Sequence, residues 1–107
     1  MIKEIDPQEA YDLIKEGVML VDVREEEEFE LESIEGAELV PLSRFSPEDI
    51  SSDIGIIFYC RSGGRSGRAC HMMQDYDSSL SIYNLAGGIM AWRAAGLPVK
   101  KEEEHLD

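Results

Sequence analysis

The sequence predicts an α/β fold, with a mostly parallel five-stranded sheet and helices on both of its faces. Short apolar runs alternate along the chain with segments that carry helix start and stop signals. Apolar strands separated by helices are typical of parallel sheets that are covered on both sides. A length of 107 residues favours a single domain. The elements follow one another in a simple order.

The first elements are a strand, a helix and a second strand. Residues 2–5 form a short apolar strand. Asp6 is a helix N-cap and Pro7 suits the first turn, so a helix is expected from there to Gly17. Residues 18–23 begin with four apolar side chains, as a strand buried on both faces requires.

The acidic segment that follows predicts a short helix and then a turn. Acidic side chains from Glu25 onward favour the positive end of a helix. The expected apolar anchors of this segment are Phe29, Leu31 and Ile34. Gly36 marks a turn, residues 37–40 a short strand, and residues 43–50 a brief helix or a pair of turns.

The second half of the chain repeats the strand–helix alternation. Residues 54–59 predict the central buried strand, and a helix is expected to end near residues 76–77. Residues 81–85 form a further strand, and a last helix runs from residues 87–88 to Gly96. We therefore expect one domain over residues 1–99 and a charged tail over residues 100–107.

The charge distribution limits the classes of partner. The net charge of −13 repels the phosphates of nucleic acids and anionic membranes, so neither is an expected partner. Eight acidic residues lie within residues 25–38, either as a solvated helix face or as a docking face. Arg61, Arg65 and Arg68 form a basic spot that suits a small anionic substrate. Arg68 lies in the first turns of a helix, where a cation opposes the helix dipole, which favours a functional role over a surface one.

Cysteine and histidine usage predicts neither a metal site nor another cofactor. The two cysteines and two histidines show no metal-ligand spacing. Cys70 lies on an apolar helix stripe, which favours packing, although a resolving thiol is the alternative. The N-terminus turns polar at once and no apolar run approaches the about 20 residues that span a bilayer, so a cytoplasmic location is expected.

The segment around Cys60 carries the strongest functional signal. Cys60 ends the strand at residues 54–59, and Gly63 and Gly64 allow the next residues to curl tightly before a helix. The amides of such a curl and of a helix start point at one spot and favour an anion there. A cysteine at that spot ionises near neutral pH and becomes a nucleophile. The alternative is an inert, buried thiol.

Several segments together resemble a known protein family. They are residues 21–25, 36–37, 59–66, 85–88, 92 and 96–98. In order and spacing these segments resemble the single-domain rhodanese proteins over nearly the whole chain. One stretch departs from that pattern: residues 32–37 read ESIEGA where members of the family often read GHIPGA.

The resemblance implies a thiosulfate-type sulfurtransferase without a cofactor. Cys60 would take the sulfane sulfur as a persulfide, and Asp22 and Arg24 would brace the active-site loop. The substrate-binding residues that the resemblance implies are Arg61, Ser62, Gly63, Gly64, Arg65 and Ser66. The acceptor would be a protein or a small thiol.

Three alternatives remain open at this point. A cysteine phosphatase or arsenate reductase places its arginine six residues after the cysteine, whereas this chain has Ser66 there and Arg65 one residue earlier. A binding module of the same fold commonly lacks the cysteine or the loop glycines, and this chain has both. A persulfide carrier that serves one dedicated partner protein is the third possibility.

Overall fold

The computed structural model describes residues 2–101. Its strands are β1 (Ile2–Ile5), β2 (Met19–Asp22), β3 (Glu32–Ile34), β4 (Glu38–Leu39), β5 (Ile56–Tyr59), β6 (Ile82–Leu85) and β7 (Val99–Lys101). Its helices are α1 (Pro7–Lys15), α2 (Glu26–Leu31), α3 (Gly64–Tyr76) and α4 (Gly88–Ala94), with 3-10 turns at Leu42–Arg44 and Pro47–Asp49.

The main sheet has five strands in the order β1-β6-β5-β2-β4, and every neighbouring pair is parallel. The predicted α/β fold and five-stranded sheet are thereby confirmed. β5 lies at the centre, and all four of its residues are fully buried. The carboxyl ends of parallel strands share one edge of the sheet, which is where such folds place ligands.

Helices cover both faces of the sheet, as predicted. On one face, α1 and α4 pack against the sheet through Ala10, Ile89 and Trp92. On the other face, α3 contributes Ala69, Cys70 and Met73, and the 3-10 region adds Ile50. Side chains of a strand alternate between the two faces, so the continuous apolar run of β5 fills both cores.

The N-terminus of α1 follows the predicted signals closely. The Asp6 carboxylate accepts a hydrogen bond from the Glu9 amide at 2.8 Å, and the Glu9 carboxylate accepts one from the Asp6 amide at 3.3 Å. This reciprocal capping box satisfies two amides that a helix start leaves free. Pro7 occupies the first turn, where its missing N–H costs nothing.

A small second sheet was not predicted. β3 pairs antiparallel with β7, and the register joins Ser33 to Lys100 and Ile34 to Val99. The domain boundary predicted at residue 99 therefore falls inside a strand, whose pairing extends to Lys101. Residues 102–107 of the predicted tail lie outside the described residues.

The anchors predicted for the acidic segment are partly wrong. Ile34 is buried, but it lies in β3 rather than on the helix, and the side chain of Leu31 is 64% exposed. α2 is short and ends at Leu31, and the chain turns directly into β3 at Glu32. The Glu32 carboxylate forms ion pairs with Arg93 of α4 and Lys101 of β7. These contacts hold the second sheet against α4.

Candidate active site

Cys60 lies directly after β5, at the carboxyl edge of the sheet. Cys60 is buried, with only 2% of its surface exposed to solvent. The chain then curls through Arg61 and Ser62, and Gly63 is the N-cap of α3 with a φ of 118°. This backbone conformation strongly favours glycine. The strand–loop–helix arrangement expected from the sequence is therefore present.

Hydrogen-bond donors converge on the sulfur of Cys60. The Gly63 amide donates to Sγ at 3.0 Å, and the Ser66 hydroxyl lies 3.4 Å from it. Burial raises the pKa of the Cys60 thiol, but the Ser66 hydroxyl and the amides of Ser66, Gly63 and Ser62 outweigh burial and lower the pKa below its ordinary value. Hydrogen bonds to the charged form act in this direction. The geometry favours a thiolate.

The carbonyl groups of the loop point the other way, toward α4. The Ile89 amide donates to the Cys60 carbonyl at 3.0 Å, and the Met90 amide donates to the Arg61 carbonyl at 3.3 Å. A Cβ atom at Gly88 would lie 2.4 Å from both carbonyl oxygens, so the backbones touch. Because the carbonyls are held by α4, the loop amides are left free to face the sulfur.

The arginines of the basic spot have different surroundings. Arg65 pairs with Glu28 of α2 through two hydrogen bonds of 2.7 and 3.0 Å. The hydrogen bond from Arg65 lowers the pKa of Glu28 to about 2. Arg61 and Arg68 are exposed. Arg61 therefore stands at the mouth of the loop, while Arg65 is shared with an acidic helix.

A buried polar contact behind the loop was not predicted. The Ser66 hydroxyl lies 2.6 Å from Oδ1 of Asn84, and Nδ2 of Asn84 donates to the Gly63 carbonyl at 3.3 Å. Ser66, predicted as a substrate-binding residue, is fully buried, and its hydroxyl lies 3.4 Å from the sulfur of Cys60. A polar residue inside the otherwise apolar strand β6 is the signal that could have identified Asn84.

Asp22 and Arg24, which are predicted to brace the loop, form a buried ion pair at 2.8 Å. Arg24 donates to the Glu32 carbonyl, and the Asp22 carboxylate accepts a hydrogen bond from the Arg24 amide at 2.9 Å. The Tyr59 hydroxyl accepts a hydrogen bond from the Ile34 amide at 3.0 Å, and burial together with the nearby Asp22 carboxylate raises the pKa of Tyr59. Arg24 thus ties the end of β2 to the start of β3, and the charge of Asp22 also acts on Arg65 of the loop.

Cys70 is buried in α3 within the apolar core. Its sulfur lies 3.6 Å from the Tyr83 carbonyl, an acceptor. Burial raises the pKa of the Cys70 thiol to about 12. This environment fits the expected packing role. Within residues 2–101, no cluster of histidine, cysteine and acidic side chains is arranged to hold a metal ion, and no helix could span a membrane.

Residues 6–95 match the family described as the rhodanese-like domain. The chain is similar to a sulfurtransferase of Allochromatium vinosum, with 38% identity over 96% of this chain and 99% of that protein. It is also similar to the thiosulfate sulfurtransferase GlpE of Actinobacillus succinogenes, with 32% identity over 91% of this chain and 89% of that protein. Other relatives are longer: the chain spans 49% of a Synechocystis protein and 59% of a Bacillus subtilis protein.

The fold is similar to that of solved structures. A rhodanese-related protein from Thermoplasma volcanium has a TM-score of 0.82 and 29% identity, with 94% of this chain and 99% of that chain covered.

Proposed function

The chain belongs to the rhodanese-like domain family, and from this membership we propose that it transfers sulfane sulfur through a persulfide on Cys60. The donor we propose is thiosulfate or a related small anion. One observation carries the proposal: amide and hydroxyl donors converge on the buried sulfur of Cys60, with the Gly63 amide at 3.0 Å. Relatives named sulfurtransferase support the reaction class, and one named for thiosulfate supports the donor.

The first step forms the persulfide. The Cys60 thiolate attacks the outer sulfur of thiosulfate and forms a new S–S bond. The bond between the two sulfur atoms of thiosulfate breaks, and its electron pair leaves with sulfite. We invoke no general base, because the hydrogen bonds to Cys60 lower the pKa of its thiol and favour the thiolate.

The second step returns the enzyme to its starting state. The negative charge of the persulfide resides on its outer sulfur, which the loop amides stabilise as an oxyanion hole stabilises oxygen. A thiophilic acceptor, such as cyanide or a thiolate, attacks that sulfur, and the bonding pair returns to Cys60. In the cell we propose a protein or small-thiol acceptor.

The loop arginines have separate roles in this proposal. The exposed Arg61 attracts the anionic donor to the mouth of the loop. Arg65 is held by Glu28 and keeps a positive charge beside Cys60, with which it interacts electrostatically. The exposed acidic residues of α2 lie next to this site through Glu28, so a protein acceptor would meet a strongly acidic surface there.

Intact-protein mass spectrometry after incubation with thiosulfate tests the proposal. We expect one added sulfur atom, which cyanide or a reductant removes, in the wild type. Cys70→Ala is the matched control and should gain the sulfur as the wild type does. Cys60→Ser should gain none. Sulfur addition to Cys60→Ser would remove Cys60 from the mechanism.

A comparison of substrates separates sulfur transfer from phosphatase chemistry. The loop carries Arg65 one residue earlier than a phosphate-binding loop does, so it suits a single sulfur atom better than a tetrahedral oxyanion. We expect cyanolysis of thiosulfate to exceed hydrolysis of a phosphotyrosine mimic. The reverse ranking would contradict the proposal.

A further inference from the structure

Four polar groups form a connected set beneath the sulfur of Cys60. Asn84 is 4% exposed and Ser66 is fully buried. Asn84 Nδ2 donates to the Glu4 carboxylate at 2.9 Å and to the Gly63 carbonyl at 3.3 Å. Asn84 Oδ1 lies 2.6 Å from the Ser66 hydroxyl. Glu4 and Asn84 are paired neighbours on β1 and β6, so the sheet itself sets their separation.

The acceptors around Asn84 fix the orientation of its amide. A carboxylate and a carbonyl can only accept hydrogen bonds, so the NH₂ group of the amide must face Glu4 and Gly63. Oδ1 must then face Ser66, and the Ser66 hydroxyl is the donor available to it. The opposite orientation would leave a carbonyl oxygen facing two acceptors in a buried site, which is costly.

The Ser66 hydroxyl has one proton and three acceptors within reach. Asn84 Oδ1 lies at 2.6 Å, the Gly63 carbonyl at 3.2 Å and Cys60 Sγ at 3.4 Å. The short contact assigns the proton to Asn84 when the sulfur is uncharged. The hydroxyl then presents a lone pair to Cys60, an arrangement that suits a thiol better than a thiolate.

We propose that Asn84 is a positioning residue that competes with the sulfur of Cys60 for the single proton of the Ser66 hydroxyl. Its role in sulfur transfer rests on the proposed function. When Cys60 is a thiolate, the charge draws the proton toward sulfur, because hydrogen bonds to ions are the stronger ones. When the persulfide forms, the charge moves to the outer sulfur and the proton returns to Asn84. Asn84 thereby limits how strongly the resting thiolate is stabilised.

Other charged and titratable groups face this site and stay unchanged in the test. Arg65 of α3, paired with Glu28 of α2, interacts electrostatically with Cys60, and so does Cys70 of α3. Glu4 of β1 reaches the site through Asn84. At the end of β2, Asp22 is neutralised by Arg24.

The test measures, as a function of pH, the rate at which iodoacetamide alkylates Cys60. Peptide mass spectrometry identifies Cys60 as the alkylated residue. Asn84→Leu removes the competing acceptor. The midpoint of the alkylation-rate curve, which is the pH of half-maximal rate, should therefore fall by about 0.5 to 1 pH unit, the effect of one hydrogen bond. Asn84→Asp loses the same NH₂ donor but keeps an acceptor for Ser66. Its midpoint should not fall. The proposal would be overturned if the midpoint of Asn84→Asp fell as far as that of Asn84→Leu. It would also be overturned if the midpoint of Asn84→Leu were unchanged or higher.

A second background shows whether Asn84 acts through Ser66. In Ser66→Ala the competition no longer exists, so adding Asn84→Leu should not lower the midpoint. An equal fall in both backgrounds would overturn the proposal. Tyr83→Phe, on the opposite face of β6, controls for disturbance of the strand and should leave the midpoint unchanged. Asn84→Met replaces the leucine variant if that variant does not fold.

Alkylation separates this inference from the proposed function, because it requires no sulfur donor. If thiosulfate adds no sulfur but the midpoints move as described, the positioning role stands and the proposed function fails. If sulfur is transferred but Asn84→Leu leaves the midpoint in place, the positioning role fails alone.

Discussion

The two cysteines of this chain are both buried in the same core, yet their surroundings are opposite. Around Cys60, donors from the Gly63 amide and the Ser66 hydroxyl face the sulfur, and its pKa is lowered. Around Cys70, the nearest polar group is the Tyr83 carbonyl, and burial raises its pKa to about 12. Burial alone therefore does not decide reactivity; the direction of the neighbouring dipoles does.

The position of each cysteine in the fold explains this difference. Cys60 ends a strand just before a helix start, where the first amides have no partner inside the helix. Cys70 lies in the middle of α3, where amides are already paired within the helix. The same side chain therefore faces hydrogen-bond donors in one place and apolar neighbours in the other, and only the first suits the nucleophile that we propose.

The largest expected effect comes from a substitution at Gly88, whose backbone contacts the carbonyl groups of the Cys60 loop. In Gly88→Ala the new Cβ would collide with the carbonyl oxygens of Cys60 and Arg61, and its φ of 59° also disfavours alanine. The loop amides would shift away from the sulfur. We expect kcat/KM for cyanolysis of thiosulfate to fall by about 100-fold, as small misplacements of catalytic groups can cause.

Gly96→Ala, at the other end of α4, is the matched control for that variant. Its φ of 76° disfavours alanine as that of Gly88 does, but no atom outside its immediate surroundings lies within 4 Å of a Cβ built at Gly96. Its activity should stay close to the wild type. Equal losses in both glycine variants would show that the close approach of α4 to the loop is not what orients the amides.

A smaller effect is expected when the Cys70 side is altered. Cys70→Ala removes a buried sulfur from the apolar core and should lower the free energy of unfolding by about 1 kcal/mol. Urea denaturation measures this change. Cyanolysis should be unaffected in the folded protein. A loss of turnover that exceeds the loss of folded protein would make Cys70 a participant, such as a resolving thiol.

The sequence was sufficient for the features that depend on local pattern. The capping box of Asp6 and Glu9, the apolar run of β5 and the glycine-rich curl after Cys60 all lie close together in the chain. Their local chemistry dictates a helix start, a buried strand and a tight loop. The elements around them were therefore predicted within a few residues.

Features that depend on distant residues were missed. The pairing of β3 with β7 joins strands that lie far apart in the chain, and neither segment shows the alternation of apolar and polar residues that is typical of a strand. Arg65 reaches Glu28 on another helix, which no local spacing could indicate. The sequence correctly indicates a helix start at Gly88 but not its contact with the Cys60 carbonyl, because that contact forms only on folding.

The smallest expected effect concerns the ion pair that holds the Cys60 loop to α2. Glu28 has an ordinary pKa of 4.5 and a folded pKa of about 2, so its contribution to stability is present above pH 4.5 and is lost as pH falls toward 2. The pair is partly exposed, with side chains 38% and 32% accessible. Glu28→Gln should therefore cost about 1 kcal/mol or less at neutral pH.

Urea denaturation at several pH values checks this prediction. The difference in unfolding free energy between the wild type and Glu28→Gln should shrink as pH falls from about 4.5 to about 2. Glu27→Gln removes an exposed acidic side chain of the same helix outside this ion pair, and it is the matched control: it should lower the free energy of unfolding at neutral pH by less than Glu28→Gln does. A constant difference across this range would contradict the role of the ion pair.

The ultraviolet absorbance of the thiolate, followed against pH as the difference between wild type and Cys60→Ser, tests the central claim most directly. We expect the Cys60 signal to rise with a midpoint below the ordinary thiol value of 9.0. The corresponding difference for Cys70→Ala should show no rise near neutral pH. A Cys60 midpoint at or above 9.0 would contradict the claim that the loop amides and Ser66 stabilise its thiolate.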